Sequence, residues 1–255
     1  DAMHRVHCDR SGLTTYNLVH CGEKWWIVGL PANDEDSCAS IEVYGKELWT
    51  DHNVKRGYKW YGLLLVEGDL LILPPGTLHI VFTPTKSICT GGYTFNASTM
   101  AKTVYSIYHN FVGSSWLTNT LVGNEFSALL RIVLFWESRL VNPEHGYFEM
   151  LEDDASSLPH IPNLMRMDDP INLLSLLNFA DLAWDLTPER YWGRKRKFPG
   201  YYQAAKVAAN AIRKWLYSNF VLLECNESED AMEQDDNKLP LMSEAYLLHH
   251  AHLLV

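Results

Sequence analysis

Apolar and polar positions change their rhythm once along this chain, near residue 98. Before that point the apolar runs are short and separated by turn residues. Leu18-Val19-His20 leads through Gly22-Glu23-Lys24 into Trp25-Trp26-Ile27-Val28. Leu63-Leu64-Leu65-Val66 follows, then a Gly68-Asp69 turn and Leu70-Leu71-Ile72-Leu73. Pro74-Pro75-Gly76 breaks that run before Leu78-His79-Ile80-Val81-Phe82, and Thr83-Pro84-Thr85-Lys86 makes the turn into Ser87-Ile88-Cys89-Thr90. Short strands with frequent turns predict a β sandwich or barrel over the first 100 residues. Residues 31–58 are less regular, with a polar loop at Pro31 to Ser37 and a short helix expected at Ile41 to Trp49.

After residue 98 the spacing becomes helical. Ser98 to Phe111 and Phe126 to Leu140 are expected helices, the second with Leu129, Leu130, Val133, Leu134 and Trp136 on its apolar positions. Leu151 to Met167 reads as a linker. Asp169-Pro170 is a helix start for Ile171 to Leu186, and Thr187-Pro188-Glu189 is a second start signal. Tyr201 to Leu223 is Ala-rich and amphipathic. Residues 224–239 lack the apolar density needed to order them, and Leu241 to Val255 reads as a weak terminal helix. The chain therefore divides into a β unit at 1–110, a helical region at 111–223, and an acidic, disordered tail with a weak helix at 224–255.

Composition sharpens this picture in three places. The 255 residues carry a formal charge of −10, from 21 Lys and Arg against 31 Asp and Glu. Seven of those acids lie between Glu224 and Asp236, which leaves the rest of the chain at only −3. The acidic balance argues against a surface that grips nucleic acid, and the acidic run suggests attraction to a basic partner. The five cysteines (Cys8, Cys21, Cys38, Cys89, Cys225) are odd in number and never spaced CxxC. That favours reduced thiols inside the cell. No run reaches the ~18 apolar residues of a membrane span. The chain opens without Met and enters patterned sequence at once, as expected of a piece cut from a longer protein.

Candidate chemistry sits at His7-Cys8-Asp9 and at His79. A His-x-Asp pair on one strand projects both side chains to one face, because strand side chains alternate. A histidine from an adjacent strand then completes a two-His, one-carboxylate facial triad. Such a triad leaves metal positions open for a bidentate co-substrate and oxygen, as in non-haem Fe(II) oxygenases. Cys8, between the two, should point away from the metal. His249-His250 with His252, and the basic run Arg194-Lys195-Arg196-Lys197, are weaker candidates for adventitious metal and for nuclear import or phosphate contact.

The wider context resembles the JmjC family of Fe(II)/2-oxoglutarate oxygenases, most closely its F-box and PHD-finger histone lysine demethylase branch. The resemblance runs through His7-Cys8-Asp9, Gly22-Glu23-Lys24-Trp25-Trp26, Glu67-Gly68-Asp69-Leu70-Leu71-Ile72-Leu73-Pro74-Pro75-Gly76-Thr77-Leu78-His79, Thr83-Pro84 and Thr90-Gly91-Gly92-Tyr93-Thr94-Phe95. It implies a mixed β and α fold, a double-stranded β-helix of the jelly-roll type over 1–110 followed by helices. On this resemblance the first strands of the barrel, which help form the family's substrate groove, are missing.

The resemblance also implies roles. His7, Asp9 and His79 would hold Fe(II), and Lys24 would pair with the distal carboxylate of 2-oxoglutarate. Asn17 stands where the family has Tyr or Asn reaching the co-substrate. The implied reaction uses O2 and 2-oxoglutarate, releases succinate and CO2, and hydroxylates a protein side chain. On N-methyl-lysine the hydroxylated product loses formaldehyde, so the outcome is demethylation of a histone tail in the nucleus. The alternatives are a JmjC hydroxylase acting on an unmethylated residue and a catalytically silent JmjC scaffold. Three departures bear on these. His4 replaces a Thr that helps bind the distal carboxylate, and Thr14, Thr15 and Tyr16 are the candidates to supply a hydroxyl instead. Ser11-Gly12-Leu13-Thr14 stands for Gly-Gly-Thr-Ser, and Tyr93 for an Asn of the late strand. Trp25-Trp26 are candidates to wall the pocket.

Overall fold

The computed structural model describes residues 2–32, 58–112, 125–153, 160–166, 168–187, 199–223 and 239–243. Several expectations fall outside them: the helix at Ile41 to Trp49, the Pro188-Glu189 start, the Arg194 to Lys197 run, the acidic run to Lys238, and His249, His250 and His252. The chain forms two compact units, Asp1–Val122 and Gly123–Val255.

The first unit is built from seven antiparallel strands: β1 (Ala2–His7), β2 (Thr14–Cys21), β3 (Lys24–Pro31), β4 (Tyr58–Leu65), β5 (Leu70–Leu73), β6 (Leu78–Thr83) and β7 (Ile88–Thr94). They make two sheets, of order β1-β6-β3-β4 and β5-β2-β7. The chain crosses repeatedly between them, so a strand's neighbour in sequence is usually not its neighbour in a sheet. One apolar cluster joins the sheets: Trp26, Val28, Leu65 and Val81 from the first, Val19 and Leu73 from the second. Strand alternation explains the choice. Trp26 and Val28 point inward two residues apart, whereas Trp25 between them and the turn is exposed. The β4 strand begins at Tyr58, earlier than its Leu-rich half suggests, because Tyr58 and Trp60 add an alternating β pattern before the leucines.

The turns act where expected. Gly68 takes φ +90° and the Asp69 carboxylate accepts from Val66 N at 2.8 Å. Gly76 takes φ +72° after Pro74-Pro75, and Thr77 N donates to Pro74 O at 3.3 Å. That turn carries the chain from one sheet to the other and starts β6 one residue before His79.

Helix α1 (Met100–Val112) completes the unit. Met100, Val104 and Ile107 are buried at helical spacing. Thr103 Oγ1 donates to Gly12 O at 2.7 Å, which docks the helix on the tight turn after Asp9. His109 is buried on α1 against Tyr105, and burial lowers its pKa from 6.5 to about 4. The unfolded chain therefore takes up a proton below pH 6.5 that the folded chain refuses until about pH 4. Stability from neutral His109 should be complete above pH 6.5 and drain away as the pH falls to 4, by as much as about 3 kcal/mol. Urea titrations at pH 7 and pH 4.5 should show a smaller pH difference for His109→Gln than for the wild type.

The second unit is helical: α2 (Glu125–Leu140), α3 (Tyr147–Asp153), α4 (Asp168–Leu186) and α5 (Pro199–Asn219). Here α4 is buried on most sides by Leu173, Leu176, Leu177, Phe179 and Ala183, as expected of a helix whose apolar residues are not confined to one stripe. Ala205, Ala208 and Ala209 are the small residues through which α5 packs on α2 and α4. Arg213 on α5 donates to Asp181 on α4 at 2.7 Å. Two expectations are corrected. Leu151 to Asp153 belong to α3, whose Tyr147 hydroxyl donates to Pro162 O at 2.7 Å and accepts from Leu164 N, so a buried polar anchor stabilises that turn. The stretch after α5 is β: Phe220–Leu223 (β8) pairs in parallel with Leu239–Ser243 (β9). Leu241 to Ser243 are therefore strand and not terminal helix, because pairing with β8 supplies backbone partners that a short isolated helix lacks.

Candidate metal centre

The last residue of β1 and the second residue of β6 meet in register, His7 opposite His79. Their ring centroids are 4.2 Å apart. Asp9 follows two residues later, but not on the strand. β1 ends at His7, and Asp9 lies in extended backbone (φ −70°, ψ 144°) at the entrance to a 3-10 turn, Arg10–Gly12. The shared face expected from an unbroken His-x-Asp strand is thus corrected to a shared face made by extended backbone just beyond the strand. One ligating atom from each of His7, Asp9 and His79 lies within 4.8 Å of the others, and all three residues are buried. Among the described residues this is the group of His, Cys, Asp and Glu side chains arranged to hold a metal ion.

Backbone carbonyls orient both rings. His7 Nδ1 donates to Arg5 O at 2.7 Å, and His79 Nδ1 donates to Thr77 O at 2.9 Å. A carbonyl only accepts, so each Nδ1 carries hydrogen and the neutral ring offers its lone pair at Nε2. Burial, and then the neighbouring His79, lower the His7 pKa and favour that neutral, ligating form at pH 7. On the carboxylate side, Thr15 Oγ1 donates to Asp9 Oδ2. Cys8 turns away as expected. Its side chain packs with Leu78, and burial first and Asp9 second push its thiol up to about 12.

The triad opens on a cavity of about 310 Å³. Lys24 and Asn17, singled out by sequence, line the same cavity. Lys24 and Trp26 reach it from β3 by alternation; Thr15 and Asn17 reach it likewise from β2. Lys24 has no carboxylate partner among the described residues. Asn17 Oδ1 and Trp26 Nε1 are buried without a hydrogen-bond partner among them. Gly91 and Gly92 of β7 keep the opposite wall thin. A Cβ at Gly91 would come within 3.3 Å of the Asn17 amide nitrogen, and one at Gly92 within 2.4 Å of the Tyr16 hydroxyl. His4, Tyr16 and Tyr93 also line the cavity, while Trp25 and Thr14 do not.

Thr15 and Trp26 carry more of the site than sequence assigned them. The signal for Trp26 was its i+2 spacing from Lys24, and for Thr15 its i−2 spacing from Asn17. No known protein family matches the chain, and no curated protein matches it either.

Proposed function

We propose that this protein is an Fe(II)- and 2-oxoglutarate-dependent oxygenase of the JmjC type. The observation that carries the reading is the convergence of two oriented imidazoles and one carboxylate on a cavity that also holds a lysine with no carboxylate partner among the described residues. The strand order supports a double-stranded β-helix, since successive strands are dealt between two facing antiparallel sheets with the triad at one end of the pair β1 and β6.

The residues fit both implied groups. Two neutral nitrogens and a carboxylate oxygen suit Fe(II) and leave positions open on one side. For a five-carbon diacid, Lys24 offers the cation that a carboxylate in a half-enclosed site needs. Asn17 and the Trp26 N–H offer hydrogen-bonding capacity that no described residue uses. Bound iron and co-substrate supply the oxidising chemistry. The chain's own part is to hold the metal through His7, Asp9 and His79, to align the diacid through Lys24 and Asn17, and to screen the site with Trp26 and Val81. His4 replaces the hydroxyl expected for the distal carboxylate, so more of that binding falls on Lys24.

The substrate in this reading is a protein side chain, with N-methyl-lysine of a histone tail in the nucleus as the first candidate. Succinate release with Fe(II) and 2-oxoglutarate tests the enzyme class. Formaldehyde from methyl-lysine peptides separates demethylation from hydroxylation of an unmethylated residue. Succinate formation absent with every substrate would favour the silent scaffold. Lys24→Ala should raise the 2-oxoglutarate concentration for half-maximal turnover by about 10- to 100-fold, the loss of one charged partner in a partly screened pair. Metal affinity should change little, and isothermal titration with Mn(II) checks that separation.

A further inference from the structure

A carboxylate has two oxygens, and a triad that must also admit a bidentate co-substrate and an oxidant has room for one of them. Two imidazoles and a chelating carboxylate would fill four of six positions. The co-substrate would take the remaining two and close the site.

Asp9 has no local device to prevent chelation. It lies outside any strand, and its side chain caps nothing in the 3-10 turn it precedes. The restraint comes from β2. Thr15 Oγ1 donates to Asp9 Oδ2, and both residues are buried. Thr15 stands on the central strand of its sheet, opposite Leu73 on β5 and Tyr93 on β7. Its backbone is held from both sides, so its hydroxyl is a fixed point against which the mobile end of Asp9 is set.

We infer that Thr15 is a positioning residue: it occupies Oδ2 of Asp9, makes Asp9 a one-oxygen ligand, and so keeps one further metal position open. This rests on the metal reading proposed above. A merely structural hydroxyl would satisfy a buried acceptor and affect folding. A positioning hydroxyl affects coordination as well, and the two separate by measurement.

The experiment compares wild type, Thr15→Val, Thr15→Ala and Thr15→Ser for Mn(II) affinity by calorimetry and for the visible spectrum of the Co(II) form. Thermal melting without metal is recorded alongside. Val and Ala should each weaken Mn(II) by roughly 10- to 100-fold, the range for outer partners of metal ligands, and change the Co(II) bands as the second oxygen is freed. Ser should restore both to near wild type. Folded Val and Ala variants with wild-type affinity and spectrum would overturn the inference and leave the metal site standing. If both unfold, the role is structural and the inference falls. A wild-type protein that binds neither Mn(II) nor Co(II) removes the metal reading itself, and this inference with it.

Discussion

On the proposed oxygenase reading, His79→Ala should abolish succinate release and lower Mn(II) affinity by more than roughly 100-fold, since losing a ligand costs more than losing an outer partner of one. His79 is 2% exposed, packs its ring at a tilt against His7 and Trp26, and turns its Nε2 away from the Thr77 carbonyl that holds its Nδ1. Alanine removes the imidazole, and among the described residues no further His, Cys, Asp or Glu belongs to the group that could hold a metal ion. Its removal also leaves a small cavity beside Trp26, so some loss of stability accompanies the loss of metal. A melting curve without metal measures that part separately. His79→Gln, which keeps volume and one acceptor, should preserve more stability than alanine while still failing to bind metal tightly. Turnover unaffected by His79→Ala would remove this residue from the ligand set.

Gly12→Ala should destabilise the first unit by about 3–5 kcal/mol. Gly12 takes φ +61°, which costs a side-chain-bearing residue roughly 1–2 kcal/mol. An added Cβ would also sit 2.2 Å from Thr103 O and 2.6 Å from Thr103 Cα. Those are backbone atoms of α1, so relief means moving the helix, at roughly 1–3 kcal/mol for overpacking. Moving it strains the Thr103 to Gly12 hydrogen bond, worth about 1 kcal/mol. Gly68 is the control. It takes φ +90° with nothing within 4 Å of an added Cβ, so Gly68→Ala should cost only the backbone share, roughly 1–2 kcal/mol. Urea midpoints for the two variants give the difference directly, and equal costs would mean that α1 does not press on the turn. Because Asp9 enters that same turn, Gly12→Ala should also weaken Mn(II) binding.

What could be read along the chain was local. Leu70–Leu73 has the bounds its apolar run suggests, and the Gly68-Asp69 and Pro74-Pro75-Gly76 turns fall where their residues place them. Helices α1, α2 and α4 lie within three residues of the expected spans, because an apolar stripe at helical spacing reports the face that must be buried. The misses also have local causes. His7-Cys8-Asp9 looks like continuous strand, yet the pairing ends at His7, and Ser11 and Gly12 take positive φ in the turn that follows Asp9. Leu151 to Asp153 look like linker by composition, and join α3 through a tyrosine anchor whose partners lie 15 and 17 residues on. Leu241 to Ser243 look helical in isolation, and pair instead with a strand about twenty residues earlier.

The sequence alone determined the residue types of the site, its turns and its alternation: two histidines, a lysine and an asparagine at positions that strand periodicity turns to one side, and an aspartate two residues beyond the first histidine. Periodicity and turn chemistry act over a few residues, so they are written locally. Tertiary structure decided which of these residues meet. His7 and His79 are 72 positions apart and become neighbours only because β1 and β6 pair in one register; a one-residue slip would turn either histidine to the opposite face. The bond from Thr15 to Asp9 ties the segment before the Arg10–Gly12 turn to β2, and strand alternation does not specify it, because it depends on the path the chain takes through that turn.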